Sequence, residues 1–277
     1  LLKCFIQMKI LLNNNDLNRA LYSVSNLGFV PTMGSLHKGH ISLIKKSLKE
    51  CNKTIVSIFI NPSQFNNKQD FIKYPRNNKR DLLILKKLKV DFVYMPDQKS
   101  IFNSKKKIKI KISKKDKILC AKHRNGHFEG VIDVMDRLTK LINPKRTYMG
   151  EKDFQQLYFV KKYIEKKYRC KIISCKTVRN KNMLALSSRN LLLNDSQMNV
   201  ASKIARGMFF FKKKLKNVKN IKKILIQKKD ELINSHNIHI EYLELRNVRN
   251  LKLSNKIKNS KIFISYYLKK VRLIDNF

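Results

Sequence analysis

The sequence predicts a parallel α/β sheet followed by a smaller α+β unit. Three observations carry that expectation. Strand-like apolar runs alternate with helical stretches as far as residue 175, the order that builds parallel sheets through right-handed crossovers. One run, TIVSIFI at 54–60, is short, β-branched and apolar throughout, as a strand buried on both faces should be. Near Val178 the order changes to helices followed by strands.

The elements follow in chain order. Residues 27–30 read as a strand that feeds the loop 31–40, and 41–50 as an amphipathic helix. The 54–60 strand ends at Asn61-Pro62, a turn signal. A helix is expected over 77–89, with Leu82, Leu85 and Leu88 on one face, and a short strand over 91–95, stopped by Pro96. Residues 104–117 are lysine-rich, and the alternation of Ile108, Ile110 and Ile112 predicts an exposed strand or hairpin. A helix over 130–142 has Val131, Val134, Leu138 and Leu141 in phase. Residues 146–149 read as a strand opening onto Gly150-Glu151-Lys152-Asp153, followed by a helix to about residue 168 and a strand over 171–175. Beyond Val178, helices are expected over 195–216 and 218–235, and strands over 238–245 and 261–268. These readings divide the chain into domains 1–177 and 178–277, with no Gly/Pro/Ser-rich linker between them.

A chain of 277 residues can bury a sizeable core. No apolar run approaches the roughly 18 residues of a membrane span. Residues 1–12 are apolar but carry Lys3 and Lys9 and no small-residue cleavage site. They read as a first strand or an extension rather than a signal peptide, with Met8 a candidate start. The formal charge is +43, from 62 Lys and Arg against 19 Asp and Glu. Such a balance favours anionic ligands. The lysines are spread over the whole chain, however, and no aromatic stacking residues interleave the lysine runs. The basicity therefore reads as compositional drift, and no specific nucleic-acid partner or membrane is expected. Five cysteines, with no C-x-x-C pair, fit free thiols in a reducing cytoplasm. No His/Cys cluster with metal-ligand spacing is present.

Chemistry concentrates in Pro31-Thr32-Met33-Gly34-Ser35-Leu36-His37-Lys38-Gly39-His40. Two histidines three apart share one face of a helix turn. A helix start offers unpaired N–H groups and a positive dipole end, which suit an anion. Five of the seven glycines (Gly34, Gly39, Gly126, Gly130 and Gly150) lie in loop motifs, where backbone geometry or close approach demands them.

The P-T-M-G-x-L-H-x-G-H run resembles the signature of the pantothenate synthetase (pantoate–β-alanine ligase) family, within the H-x-G-H nucleotidyltransferase superfamily. Further blocks match in order: VSIFINPSQF at 56–65, the segment 70–76 ending Tyr74-Pro75-Arg76, RNGHFEGV at 124–131, GEKDFQQL at 150–157, LALSSRN at 184–190 and the closing VRLIDN at 271–276. The resemblance covers nearly the whole chain. It implies a Rossmann-like first domain, a C-terminal lid domain, a cytoplasmic homodimer, and ATP, pantoate and β-alanine as substrates with Mg²⁺.

The resemblance also implies site residues. His40, with His37 and Lys152, is catalytic. ATP is held by Met33, Gly34, Ser35, Leu36, His37, Lys38, Gly39 and His40, by Gly150, Glu151, Lys152 and Asp153, and by Val178, Leu186, Ser187, Ser188 and Arg189. Gln64, Gln156 and Asn61 form the pantoate/β-alanine pocket, whereas Arg124 and His127 line the region of Ser187, Ser188 and Arg189 over the ATP phosphates. Lysine suits a transferring phosphoryl group as a compact cation. Glutamine amides suit hydroxyls because they both donate and accept. At one position the chain departs from the family. Met183 stands where glycine is expected before LALSSRN, and a turn there that needs positive φ would be strained.

Overall fold

The first sheet is built from β1 (Lys9–Leu11), β2 (Leu27–Thr32), β3 (Lys53–Ile58), β4 (Phe92–Tyr94), β5 (Arg146–Gly150) and β6 (Lys171–Cys175). All are parallel, in the order β1-β4-β3-β2-β5-β6. The helices between them are α1 (Asn14–Leu21), α2 (Lys38–Glu50), α3 (Lys68–Ile72), α4 (Asn78–Lys87), α5 (Gln98–Phe102), α6 (Cys120–His123), α7 (His127–Ile142) and α8 (Phe154–Val160). The computed structural model describes residues 7–66, 68–102, 110–215 and 218–277. The chain divides into two compact units, Leu1–Lys176 and Thr177–Phe277.

The strands are apolar on both faces because both faces are covered. Val30, Val56, Val93 and Tyr148 pack with Leu36, Ile44 and Leu85, sealing the sheet against α2 and α4. Phe29 and Ile55 point the other way by strand alternation and are also fully buried. Proline is unusual in a central strand, since it cannot donate to the ladder. Pro31 is tolerated in β2 because pairing with β5 stops at Phe29, although pairing with β3 continues to Thr32.

In the second unit, α9 (Asp195–Lys214) and α10 (Ile221–His236) precede an antiparallel sheet of β7 (His239–Asn247), β8 (Ser260–Leu268) and β9 (Val271–Asn276), ordered β7-β8-β9. Its own core joins Ile204, Met208 and Leu225 of the helices to Leu245, Ile262 and Ile264 of the sheet. The sequence analysis did not anticipate β9.

Two expectations require correction. Residues 110–117 carry no strand, and the rest of the expected hairpin, 104–109, lies outside the described residues. A one-turn 3₁₀ helix, Lys114–Asp116, stands there instead. Its Asp116 carboxylate accepts from Ser113 Oγ at 2.8 Å and Lys162 Nζ at 2.7 Å, and Ile112 is buried. A buried anchor therefore overrides the isoleucine alternation. The helix expected to reach residue 168 ends as α8 at Val160 and passes into a π-helical turn, Lys161–Glu165, which contains the lysine paired with Asp116.

Met183 adopts φ +68°, the left-handed region where glycine belongs. Around it Asn180 Oδ1 accepts from the amides of Asn182 and Leu184, and Arg179 Nη1 donates to Met183 O at 2.9 Å. Arg179 also makes a bidentate pair with Asp275 at 2.7 and 2.8 Å. The turn is thus held against the strain of its own residue. Met183→Gly should raise the denaturant-unfolding stability of the second unit by about 1 kcal/mol; an unchanged or lower midpoint would mean that the methionine side chain contributes more than the strain costs.

Candidate active site

Strand order reverses at β2. The chain leaves it first toward β3 and β4, then returns on the other side with β5 and β6. In open parallel sheets ligands bind at the carboxyl ends of the strands at such a switch point. Here that point lies between β2, which runs into the histidine loop, and β5, which ends at Gly150. Asn61 to Gln64 follow β3 on the neighbouring side.

The loop between β2 and α2 folds tightly. Gly34 and Ser35 have φ of +75° and +51°, a costly conformation for serine. The compensation comes from a residue the sequence analysis did not single out. Asp81 of α4, fully buried, accepts from Ser35 N at 2.7 Å and Leu36 N at 2.8 Å through its two carboxylate oxygens. Charge-assisted bonds of this kind are strong when shielded from water. Thr32 Oγ1 donates to Ser57 O at 2.7 Å and accepts from Gly34 N at 3.2 Å.

His37 is the N-cap of α2. Its Nδ1 accepts from Gly39 N at 3.1 Å, and its own N–H donates to His40 Nδ1 at 3.3 Å. The imidazole lies over Gly39, where a Cβ would stand 2.7 Å from His37 Cε1. Only glycine leaves room for this cap. A neutral imidazole that accepts at Nδ1 carries its proton on Nε2. Both histidines are therefore Nε2–H donors, with ring centroids 4.0 Å apart.

Electrostatics keep them neutral. Burial, then Lys152, lowers His37 to about 4, with Asp153 opposing. Burial, then His37, then Lys152 lowers His40 to about 3. Lys152 thus acts on both rings from the Glu151–Asp153 turn beyond β5. Its side chain is 16% exposed and lies 3.7 Å from Asp153 Oδ1, whereas the Asp153 side chain is half-exposed. Glu151 accepts from Ser174 Oγ of β6 at 2.7 Å, fixing the turn to the sheet. The sequence-expected histidines and lysine are brought together.

Other expected residues are placed differently. Asn61 is buried and caps the Pro62–Gln64 turn: Oδ1 accepts from Ser63 N and Oγ, and Nδ2 donates to Gly130 O. Gln64 ends that turn and Gln156 lies in α8. Both are partly exposed, and neither side-chain amide is engaged by another described residue. Arg124 and His127 meet the Gln64 backbone. Val178, Leu186, Ser187, Ser188 and Arg189 belong to the second unit. There Leu186 N donates to Val178 O at 3.0 Å, and Ser187 caps the 3₁₀ turn Ser188–Leu192 by accepting from Arg189 N at 3.3 Å. No group of three or more His, Cys, Asp or Glu side chains suited to a metal occurs among the described residues.

A parallel sheet with paired imidazole donors and a lysine at its switch point makes an α/β protein with a site suited to a phosphate-bearing or other anionic ligand. Comparison with known proteins narrows the class. The family profile described as Pantoate-beta-alanine ligase matches residues 9–277. The chain is 39% identical to the pantothenate synthetase of Endomicrobium trichonymphae, covering 97% of both chains. It is 33% identical to that of Fervidobacterium nodosum, covering 97% of this chain and 98% of the relative. Among solved structures, pantothenate synthetase from Thermus thermophilus superposes with a TM-score of 0.87 at 26% identity, covering 98% of this chain and 99% of that one. The pantoate-beta-alanine ligase of Francisella tularensis, complexed with beta-gamma ATP and beta-alanine, gives 0.81 at 36% identity, covering 98% and 97%. The chain belongs to the pantoate–β-alanine ligase family.

Two measurements test this geometry. Asp81→Ala should strand two backbone amides and lower unfolding stability by about 2–4 kcal/mol, with Asp81→Asn intermediate; a fully stable alanine variant would refute the clamp. The histidines give a pH dependence of known sign. The unfolded chain takes up their protons near 6.5, the folded chain only near 4 and 3. The unfolded state therefore binds more protons in between, and their contribution is full above pH 6.5 and falls as the pH drops toward 3. Urea midpoints measured across that window should decline less steeply for His40→Gln than for the parent.

Proposed function

We propose that the protein condenses pantoate with β-alanine at the expense of ATP, giving pantothenate, AMP and pyrophosphate through a pantoyl adenylate. The observation that carries this reading is the pair of Nε2–H donors beside Lys152 at the switch point. The Francisella relative bound to beta-gamma ATP and beta-alanine supports the substrate assignment.

In the first step a pantoate carboxylate oxygen attacks the α-phosphorus of ATP, and the bond to the bridging oxygen of pyrophosphate breaks. Negative charge grows on the departing pyrophosphate. Fixed donors aimed at developing charge are worth most in a site shielded from water, and the neutral histidines supply them with no proton transfer. Lys152 adds a full positive charge. In the second step the β-alanine amine attacks the acyl carbon, the carbon–oxygen bond to AMP breaks, and the amine loses its proton. Activation is needed because a free carboxylate is a poor electrophile, whereas AMP leaves readily.

The loop Met33–His37, Lys38, Gly39 and the Gly150–Asp153 turn hold the nucleotide, with Val178, Leu186, Ser187, Ser188 and Arg189 assigned to it by family resemblance. Gln64 and Gln156 bind pantoate with amides that no other described residue engages, and Asn61 shapes the turn that carries Gln64. Mg²⁺ bound to nucleotide needs only one or two carboxylates besides phosphates and water. Half-exposed Asp153 fits that requirement, and the ion would neutralise phosphate charge. A cytoplasmic homodimer is also proposed. None of the four described cysteines is joined in a disulfide, and no described helix is long and apolar enough to cross a membrane; sedimentation would read the subunit count.

Pyrophosphate release with β-alanine omitted tests the first step. It should require pantoate and fall about 10²–10³-fold in His40→Ala with the fold intact. Pantoate-independent release, or near-normal turnover of the variant, would sink the assignment.

A further inference from the structure

The turn that presents Gln64 is held by residues that the mechanism above does not use. Gln64 O accepts from two side chains, His127 Nδ1 at 2.7 Å and Arg124 Nη2 at 3.1 Å. Arg124 Nη1 lies 2.9 Å from His127 Nε2. A carbonyl only accepts and a guanidinium only donates. The ring must therefore carry its proton on Nδ1 and accept at Nε2. This is the tautomer opposite to that of His37 and His40, and it is fixed by geometry alone.

The same segment grips the turn elsewhere. Asn66 Nδ2 donates to Asn125 O, and Asn61 Nδ2 donates to Gly130 O at 3.0 Å. A Cβ on Gly130 would stand 2.5 Å from Ser63 O, so only glycine lets the turn seat against α7. Next to His127, Phe128 is buried against Phe159 of α8, with ring centroids 4.9 Å apart. Phe159 is three residues from Gln156 on that short helix. The first turn of α7 thus touches the supports of both glutamines.

We propose that Arg124 and His127 are positioning residues for pantoate recognition. They hold Gln64 through its backbone carbonyl and touch neither ATP nor the reacting atoms. The inference rests on the reading that Gln64 binds pantoate.

Isosteric replacement separates the tautomers. An asparagine amide nitrogen falls where imidazole Nδ1 was, and a glutamine amide nitrogen where Nε2 was. His127→Asn keeps the donor to Gln64 O and should leave the pantoate KM within about twofold. His127→Gln loses that donor and should raise the KM roughly tenfold, the scale of one lost hydrogen bond. The ATP KM and the thermal midpoint should stay put in both. Arg124→Lys, which lacks the planar fork, and Gly130→Ala should raise the pantoate KM in the same direction. They carry the test if either histidine variant fails to fold. Equal effects of the Asn and Gln variants, or a shift in ATP KM instead, would overturn the proposal. Gln64→Ala is the control for the underlying reading. If it leaves the pantoate KM unchanged, the assignment of Gln64 fails. If Gln64→Ala raises the KM and neither the histidine nor the arginine variants do, the positioning role fails alone.

Discussion

The Asp81 carboxylate holds the amides of Ser35 and Leu36, and through them sets where α2 begins. A helix start is a directional object: its unpaired N–H groups and dipole point along one axis. Moving the first turn by one residue would carry His37 and His40 to another face. The far end of α2 is also tied down. Tyr148 of β5 donates from its hydroxyl to Glu50 at 3.0 Å, and Arg146 donates to the Glu50 carbonyl at 3.2 Å. The helix bearing the histidines and the strand leading to Lys152 are therefore one mechanical unit.

Much of this was legible in the sequence. The alternation of β-branched runs with amphipathic stretches gave the parallel sheet, because burial on both faces leaves an unbroken apolar signal. The histidine pair was singled out by its spacing at a helix start, and the Gly150–Asp153 turn and Gln64 by the family resemblance. Asp81 was missed although a signal existed. It lies on the stripe of Leu85 and Leu88, four and seven residues on, so it faces inward with them. A carboxylate on a buried stripe needs donors. Strand β9 was missed for a different reason. Its hairpin turns at Lys269, which takes φ +51° without the Asn or Gly that usually announces such a turn. Over 110–117 the isoleucine alternation misled because lysine and isoleucine are abundant throughout the chain, and Ile112 is buried beside a 3₁₀ turn rather than on a strand.

Compositional bias throws the functional carboxylates into relief. With 19 acidic residues against 62 basic ones, several acids sit buried in ion pairs or clamps. Asp116 holds Lys162, Asp136 holds Lys167 at 2.6 Å, Glu241 holds Arg272 at 2.6 Å, and Asp275 holds Arg179. Breaking such pairs leaves a charge stranded in a poor solvent for it. Lysines at exposed positions carry no such constraint, so drift can act on them while these acids stay fixed.

The parting of β2 from β5 beyond Phe29 has an architectural consequence. Two neighbouring strands that stop hydrogen-bonding before their ends form a wedge whose opening is set by backbone and sheet twist, independent of what the tips carry. One wall ends in a proline and two histidines, the other in a glycine and a lysine. Side chains at the tips can then be exchanged without altering the gap they face. In such a design the sheet supplies the vice and the loops supply the jaws, so the width of the cleft and the chemistry at its lip are set by different parts of the chain.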